Sequence, residues 1–118
     1  MQTRSRLPNS GKARISEAKL RDYLLNPAHE VGFSKADFFS RFGFRRDRWK
    51  LLREALLLHA RSHSVASISS MTFGRRFTIE GKMMCPDGRT PEIRVVWQID
   101  TGQVVPRLIT AYPIGANL

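Results

Sequence analysis

Residues 92–100 read EIRVVWQID. In an extended chain Ile93, Val95, Trp97 and Ile99 share one face, and Arg94, Val96, Gln98 and Asp100 share the other. That alternation makes the stretch a strand, and its apolar face is the one expected to pack on the rest of the chain. The same period of two holds from Val65 onward. RFTIEG and VPRLITAYPI are rich in β-branched and aromatic residues, while Pro86-Asp87-Gly88 and Thr101-Gly102 supply turns. The pattern predicts a four-stranded antiparallel meander, with strands near 66–72, 76–84, 90–100 and 104–113.

Before Val65 the spacing is helical. Ser16 precedes Glu17 and an apolar rhythm at Leu20, Tyr23 and Leu24, an N-cap followed by a helical face over about 16–25. Asn26-Pro27 stops it, because the residue before proline is pushed out of the α region. After the short loop AHEVG, Ser34 is expected to cap a second helix carrying Ala36, Phe38, Phe39 and Phe42, which ends near Gly43. A third helix, about 47–62, places Trp49, Leu52, Ala55, Leu56 and His59 at spacings of three and four. The fold class is therefore α+β, about three N-terminal helices followed by the sheet. Residues 1–14 lack periodicity and read as a flexible basic arm with a short docked piece at Leu7, leaving 15–118 as a single α+β domain.

The chain has 118 residues, enough for one core. Its one cysteine, Cys85, excludes an intrachain disulfide and fits a reducing compartment. The N-terminus has no apolar run of the signal-peptide kind, and no stretch approaches the roughly 18 consecutive apolar residues of a membrane span. A soluble, cytoplasmic protein is expected. Lys and Arg number 20 against 10 Asp and Glu, a net charge of +10. Up to and including Arg61 the count is 14 basic and 6 acidic, and after it 6 and 4. Such a field attracts polyanions, nucleic acid first, an acidic protein second and an anionic membrane third.

No metal site is expected, since the three histidines match no ligand spacing with Cys85, and no cofactor motif is present. No nucleophile elbow occurs, and SGK at 10–12 lacks the upstream glycine and strand of a phosphate loop. A cationic, metal-free site for cutting RNA remains. RNA carries its own nucleophile, the 2′-hydroxyl, so the protein need supply only proton transfer and positive charge at the phosphorane. His29 and Lys35 bracket the short loop between the first two helices, close enough to face one cleft.

The pieces LPN, KLRDYLLNPAHEVGFSKADFF, the helix with Trp49, PDGRTPEIRVVWQID and PRLITAYP resemble, in order, a small uncharacterised bacterial domain family found in toxin–antitoxin and polymorphic-toxin contexts. Helices followed by a meander ending in T-x-Y-P also resemble, more distantly, the barnase, EndoU, colicin and RelE-like ribonuclease fold. This second resemblance implies His29 and Lys35 from the helical half, Arg94 from a strand, and Thr110 and Tyr112 from the last strand as catalytic positions. Where the family loop reads His-Pro, this chain has His29-Glu30, which sets an acid beside the proposed base.

The stretch RFGFRRDRWK interleaves aromatics with Arg45, Arg46, Arg48 and Lys50, a pattern that suits tracking a nucleic-acid backbone, docking an acidic antitoxin, or merely a solvated face. Trp49 and Trp97 have core spacing. His59 sits on an apolar face as a core residue, and His63 lies where a helix cap would. The expectation is a metal-independent endoribonuclease toxin that cleaves cellular RNA by 2′-hydroxyl transesterification, with an acidic antitoxin or immunity protein as its second partner. A non-catalytic nucleic-acid-binding module is the main alternative, and a structural partner in a protein complex the next.

Overall fold

The alternating stretches form the expected meander in the computed structural model, which describes residues 5–30 and 32–115 (Phe33 by its backbone alone). Its strands are β1 (Val65–Met71), β2 (Gly74–Lys82), β3 (Glu92–Asp100) and β4 (Arg107–Pro113), in spatial order β1-β2-β3-β4. β3 and β4 begin after the expected residue because Pro91 and Pro106, which have no N–H to give, stand just before the paired stretch. Trp97 lies opposite Phe77, and Val95 opposite both Ile79 and Ala111. All five are buried, together with Ile93 and Ile99, so the predicted face of β3 is the core face.

Helices cover that face. α1 (Glu17–Lys19) is capped by Ser16, whose Oγ accepts the Lys19 N–H at 3.1 Å, and it widens at once into a π-helical turn, Leu20–Leu24. The turn closes with the Leu25 N–H on the Leu20 carbonyl at 2.9 Å and buries Leu20, Leu24 and Leu25. α2 is Phe33–Arg41 and α3 Trp49–Ser62, the latter entered through a 3-10 turn at Arg46–Arg48. The expected cap at Ser34 does not form. The N-cap is Gly32, which is buried where any Cβ would strike the Tyr23 carbonyl oxygen, so Ser34 falls inside the first turn. Phe38, Phe39, Phe44, Leu52 and Leu56 join Phe77, Val95 and Trp97 in one hydrophobic cluster. Among the described residues no helix is long and apolar enough to cross a membrane.

One further expectation changes. Of the supposed arm, residues 1–4 lie outside the described residues, and the remainder is docked. Leu7 is docked as expected, 2% exposed within the core, and the docking extends beyond it: the Asn9 side-chain amide donates to the Val104 carbonyl at 2.7 Å. Arg14 bonds through its N–H to Pro106 O (2.9 Å) and through its carbonyl to the Leu108 N–H (3.0 Å). Backbone pairing orders a segment whose side chains show no periodicity. His63 holds the C-cap position of α3, as its place in the sequence implied, and its side chain turns to the sheet, with Nε2 on the Lys82 carbonyl of β2 at 2.8 Å and the ring resting on Gly81. His59 is buried, as its face implied. Its Nε2–H is shared between the Gly81 and Ile93 carbonyls at 3.1 and 3.0 Å, and burial pushes its pKa down to about 4.

Candidate active site

The opposite face of the sheet is polar at the β4 end. Arg94 pairs with Tyr112 and Val96 with Thr110, so all four side chains share this face. Arg94 sits between two partners, with Nη1 donating to the Tyr112 hydroxyl at 3.3 Å and Nε to Glu80 Oε2 at 2.6 Å. Its hydrogen bonds to Tyr112 and Glu80 hold the guanidinium above its ordinary pKa. Glu80 stands directly across β2 from Arg94, which fixes the head group rather than leaving it to solvent.

The helical half closes over the β4 edge. Lys35, in the first turn of α2, brings its ammonium 5.6 Å from the Tyr23 ring centre and 5.9 Å from that of Tyr112, both at cation–π range. The Tyr23 hydroxyl lies 3.0 Å from Thr110 Oγ1, and its ring meets that of His29 edge-on at 5.1 Å. The loop holding His29 is shaped by Asn26, whose Oδ1 accepts the Ala28 N–H and whose carbonyl accepts the His29 N–H. His29 Nδ1 accepts the Gly32 N–H at 2.9 Å, so in the neutral ring the proton resides on Nε2.

The structure thus places His29, Lys35, Arg94, Thr110 and Tyr112 in one run of contacts, joined through Tyr23. Sequence reading had assigned Tyr23 only to an apolar helix face. The available signal was a tyrosine among leucines with Lys19 four residues earlier, whose ammonium also lies over the ring at 4.9 Å. Beside this group opens a cleft of about 360 Å³ lined by Ser34, Lys35, Phe38, Arg41, Tyr112 and Pro113. Arg41 adds a second cation to it.

The basic stretch after α2 stands apart. Arg45 and Arg46 line a different groove, of about 580 Å³, with Leu25, Pro27, Ala36 and Phe44. Arg45 is held by both oxygens of Asp47 at 2.9 Å, and Arg46 by Asp22 Oδ1 at 3.0 Å. Arg48 and Lys50 flank Trp49, with the Lys50 ammonium 5.7 Å from its ring. None of the four lines the cleft beside Tyr112. Among the described residues no group of three or more His, Cys, Asp or Glu could hold a metal ion. Cys85 is buried and its thiol is pushed up to about 11, which keeps it protonated at neutral pH.

A family model described as Domain of unknown function (DUF6883) matches residues 6–115. No curated protein matches. Among solved structures, a chain of the contact-dependent growth inhibition toxin - immunity protein complex from Klebsiella pneumoniae 342 has the same fold. It superposes with a TM-score of 0.70 at 18% identity, over 85% of this chain and 98% of that one.

Proposed function

This chain belongs to the DUF6883 family, and we propose that it is a metal-independent endoribonuclease toxin held in check by an acidic immunity protein. The observation that carries the reading is the convergence at the β4 edge: an imidazole, two cations and three hydroxyls, drawn from the loop before α2, α2 itself, the π-helical turn, β3 and β4. RNA needs no more than this. The 2′-oxygen attacks the adjacent phosphorus and forms a 2′–3′ cyclic ester while the P–O5′ bond breaks. The 2′-hydroxyl proton leaves and a proton returns to the 5′-oxygen.

His29 is the proton-transfer group. The lone pair of its neutral ring is on Nδ1 and is held by the Gly32 N–H, so proton uptake requires that contact to open as substrate enters. Lys35 and Arg94 lie where a phosphorane at Tyr112 would gather negative charge, and the Thr110 and Tyr112 hydroxyls hold its oxygens. A chain of this fold occurs in a toxin and immunity protein complex. Of the two roles in such a pair, a net charge of +10 suits the one that approaches RNA and is covered by an acidic inhibitor.

The test is cleavage of end-labelled cellular RNA by the purified chain in excess chelator. The expected products end in 2′,3′-cyclic phosphate, and a single 2′-deoxy substitution at the cut site should block cutting there. Loss of activity on chelation with recovery in magnesium would overturn the mechanism. Tight RNA binding with no cleavage under any condition would assign the chain to the non-catalytic nucleic-acid-binding class instead.

A further inference from the structure

The two sheet edges are treated differently. β4 is overlaid by Lys35 and Tyr23 and paired at Arg107 with Arg14. β1 is left open. Its sequence, VASISSM, contains no charge and no proline, the usual guards of an exposed edge. Every residue after Val65 is exposed, on both faces of the strand, with Ile68 at 49% and Met71 at 44%, and Phe73 in the following turn at 75%. Among the described residues, the Val65 N–H on the Ser5 carbonyl (2.8 Å) is the one β1 backbone bond made to anything but β2. A groove of about 640 Å³ runs there, lined by Ser5, Val65, Ala66, Ser67 and Ile68.

We propose that β1 is a strand-addition site for an extended, acid-flanked segment of another protein. The shape of the occupant follows from the edge itself, because an exposed strand edge over the six residues 66–71, roughly 20 Å, is matched by another strand. The charge of the occupant follows from the surroundings. Residues 61–79 hold Arg61, Arg75 and Arg76 and no Asp or Glu. Arg75 and Arg76 stand opposite Ser70 and Ser69 at one end of β1, and Arg6, bonded to the Arg61 carbonyl at 3.2 Å, follows the Ser5 that caps the other end. A second copy of this chain would set two +10 molecules edge to edge, and the one carboxylate in each hairpin, Glu80, is already bound to Arg94. Acidic residues flanking an incoming strand would answer them at both ends. β1 is three strand spacings, about 14 Å, from β4, so an occupant here leaves the cleft at Tyr112 open. The inference therefore stands independently of the nuclease reading.

The experiment is selection of ten-residue peptides from a displayed random library on the intact chain, followed by amide exchange. Selected peptides should alternate β-branched residues between terminal Asp or Glu. Each should slow exchange at 66–71 by tenfold or more and leave exchange at Lys35 and Tyr112 unchanged. N-methylation at one of the two sets of alternate peptide residues should weaken binding at least tenfold. Ile68→Asp, at an exposed position that should leave the unfolding midpoint in place, should do the same by like-charge repulsion. Failure to enrich any peptide, enrichment of peptides without acids, protection centred elsewhere, or full binding by both N-methylated forms would overturn the proposal. So would a concentration-dependent dimer that protects β1.

Discussion

Replacing His29 in two different ways separates what the ring does for the loop from what it does for the reaction. Gly32 is buried, and its N–H finds its acceptor in His29 Nδ1 at 2.9 Å. His29→Ala leaves that donor unsatisfied, at a cost of about 1–3 kcal/mol, and removes an edge-on contact with Tyr23 of up to about 1 kcal/mol. For a chain of this length, 1 kcal/mol corresponds to roughly 4 °C in midpoint, so the alanine variant should melt about 4–15 °C lower. In His29→Asn, Oδ1 occupies the position of Nδ1, two bonds from Cβ, and can accept the same N–H, which should restore most of that loss. Neither variant can exchange protons near neutral pH, so both should cut RNA on the order of a hundred- to ten-thousand-fold more slowly. Thermal melts paired with single-turnover cleavage at saturating enzyme read both effects. A His29→Asn protein that cuts at the wild-type rate would show that His29 only braces the loop. An unchanged midpoint in His29→Ala would show that the Gly32 bond carries no weight.

Tyr23→Phe removes the hydroxyl at Thr110 while keeping the ring under Lys35 and against His29, so cleavage should fall at least tenfold with less than about 1.5 kcal/mol lost in denaturant unfolding. An equal fall in RNA affinity would assign Tyr23 to binding instead. Leu7→Ala should cost about 2–5 kcal/mol in the same assay, since the side chain is within the core, and a change under 0.5 kcal/mol would mean that residues 5–14 are not docked in solution. His59 makes stability depend on pH. Burial lowers its pKa from 6.5 to about 4, so the unfolded chain takes up the proton first. Stability is complete above about 6.5 and declines by on the order of 3 kcal/mol as pH falls to about 4. His59→Gln, which keeps a donor for the Gly81 and Ile93 carbonyls, should flatten that decline, and an equally steep slope in the variant would place its origin elsewhere.

The elements were legible from local rules. Alternation in EIRVVWQID identified both the strand and its buried face, and three- and four-residue spacing identified α3, because a period reports directly which side of an element meets the core. Ser16 was readable as a cap since it precedes an acidic first turn, whereas Ser34 was not, since the start of α2 is set by a glycine packed against a backbone carbonyl in a different turn. The arm misled because its order comes from backbone bonds to Val65, Pro106 and Leu108, which leave no trace in side-chain pattern.

By itself, then, the sequence determined the class of fold, the order of its elements, the core face of the sheet and the excess of positive charge, all of them properties of neighbours along the chain or of simple sums. Only the tertiary structure decided that His29 and Lys35 meet Arg94, Thr110 and Tyr112, that Tyr23 links them, and that Arg45, Arg46, Arg48 and Lys50 stand elsewhere. It likewise decided which strand the described residues leave bare, since β1 and β4 are both edges of the meander and the helical layer closes over β4. Contacts across 18 to 87 residues depend on the register of strands and the packing of helices, and no local period encodes those distances.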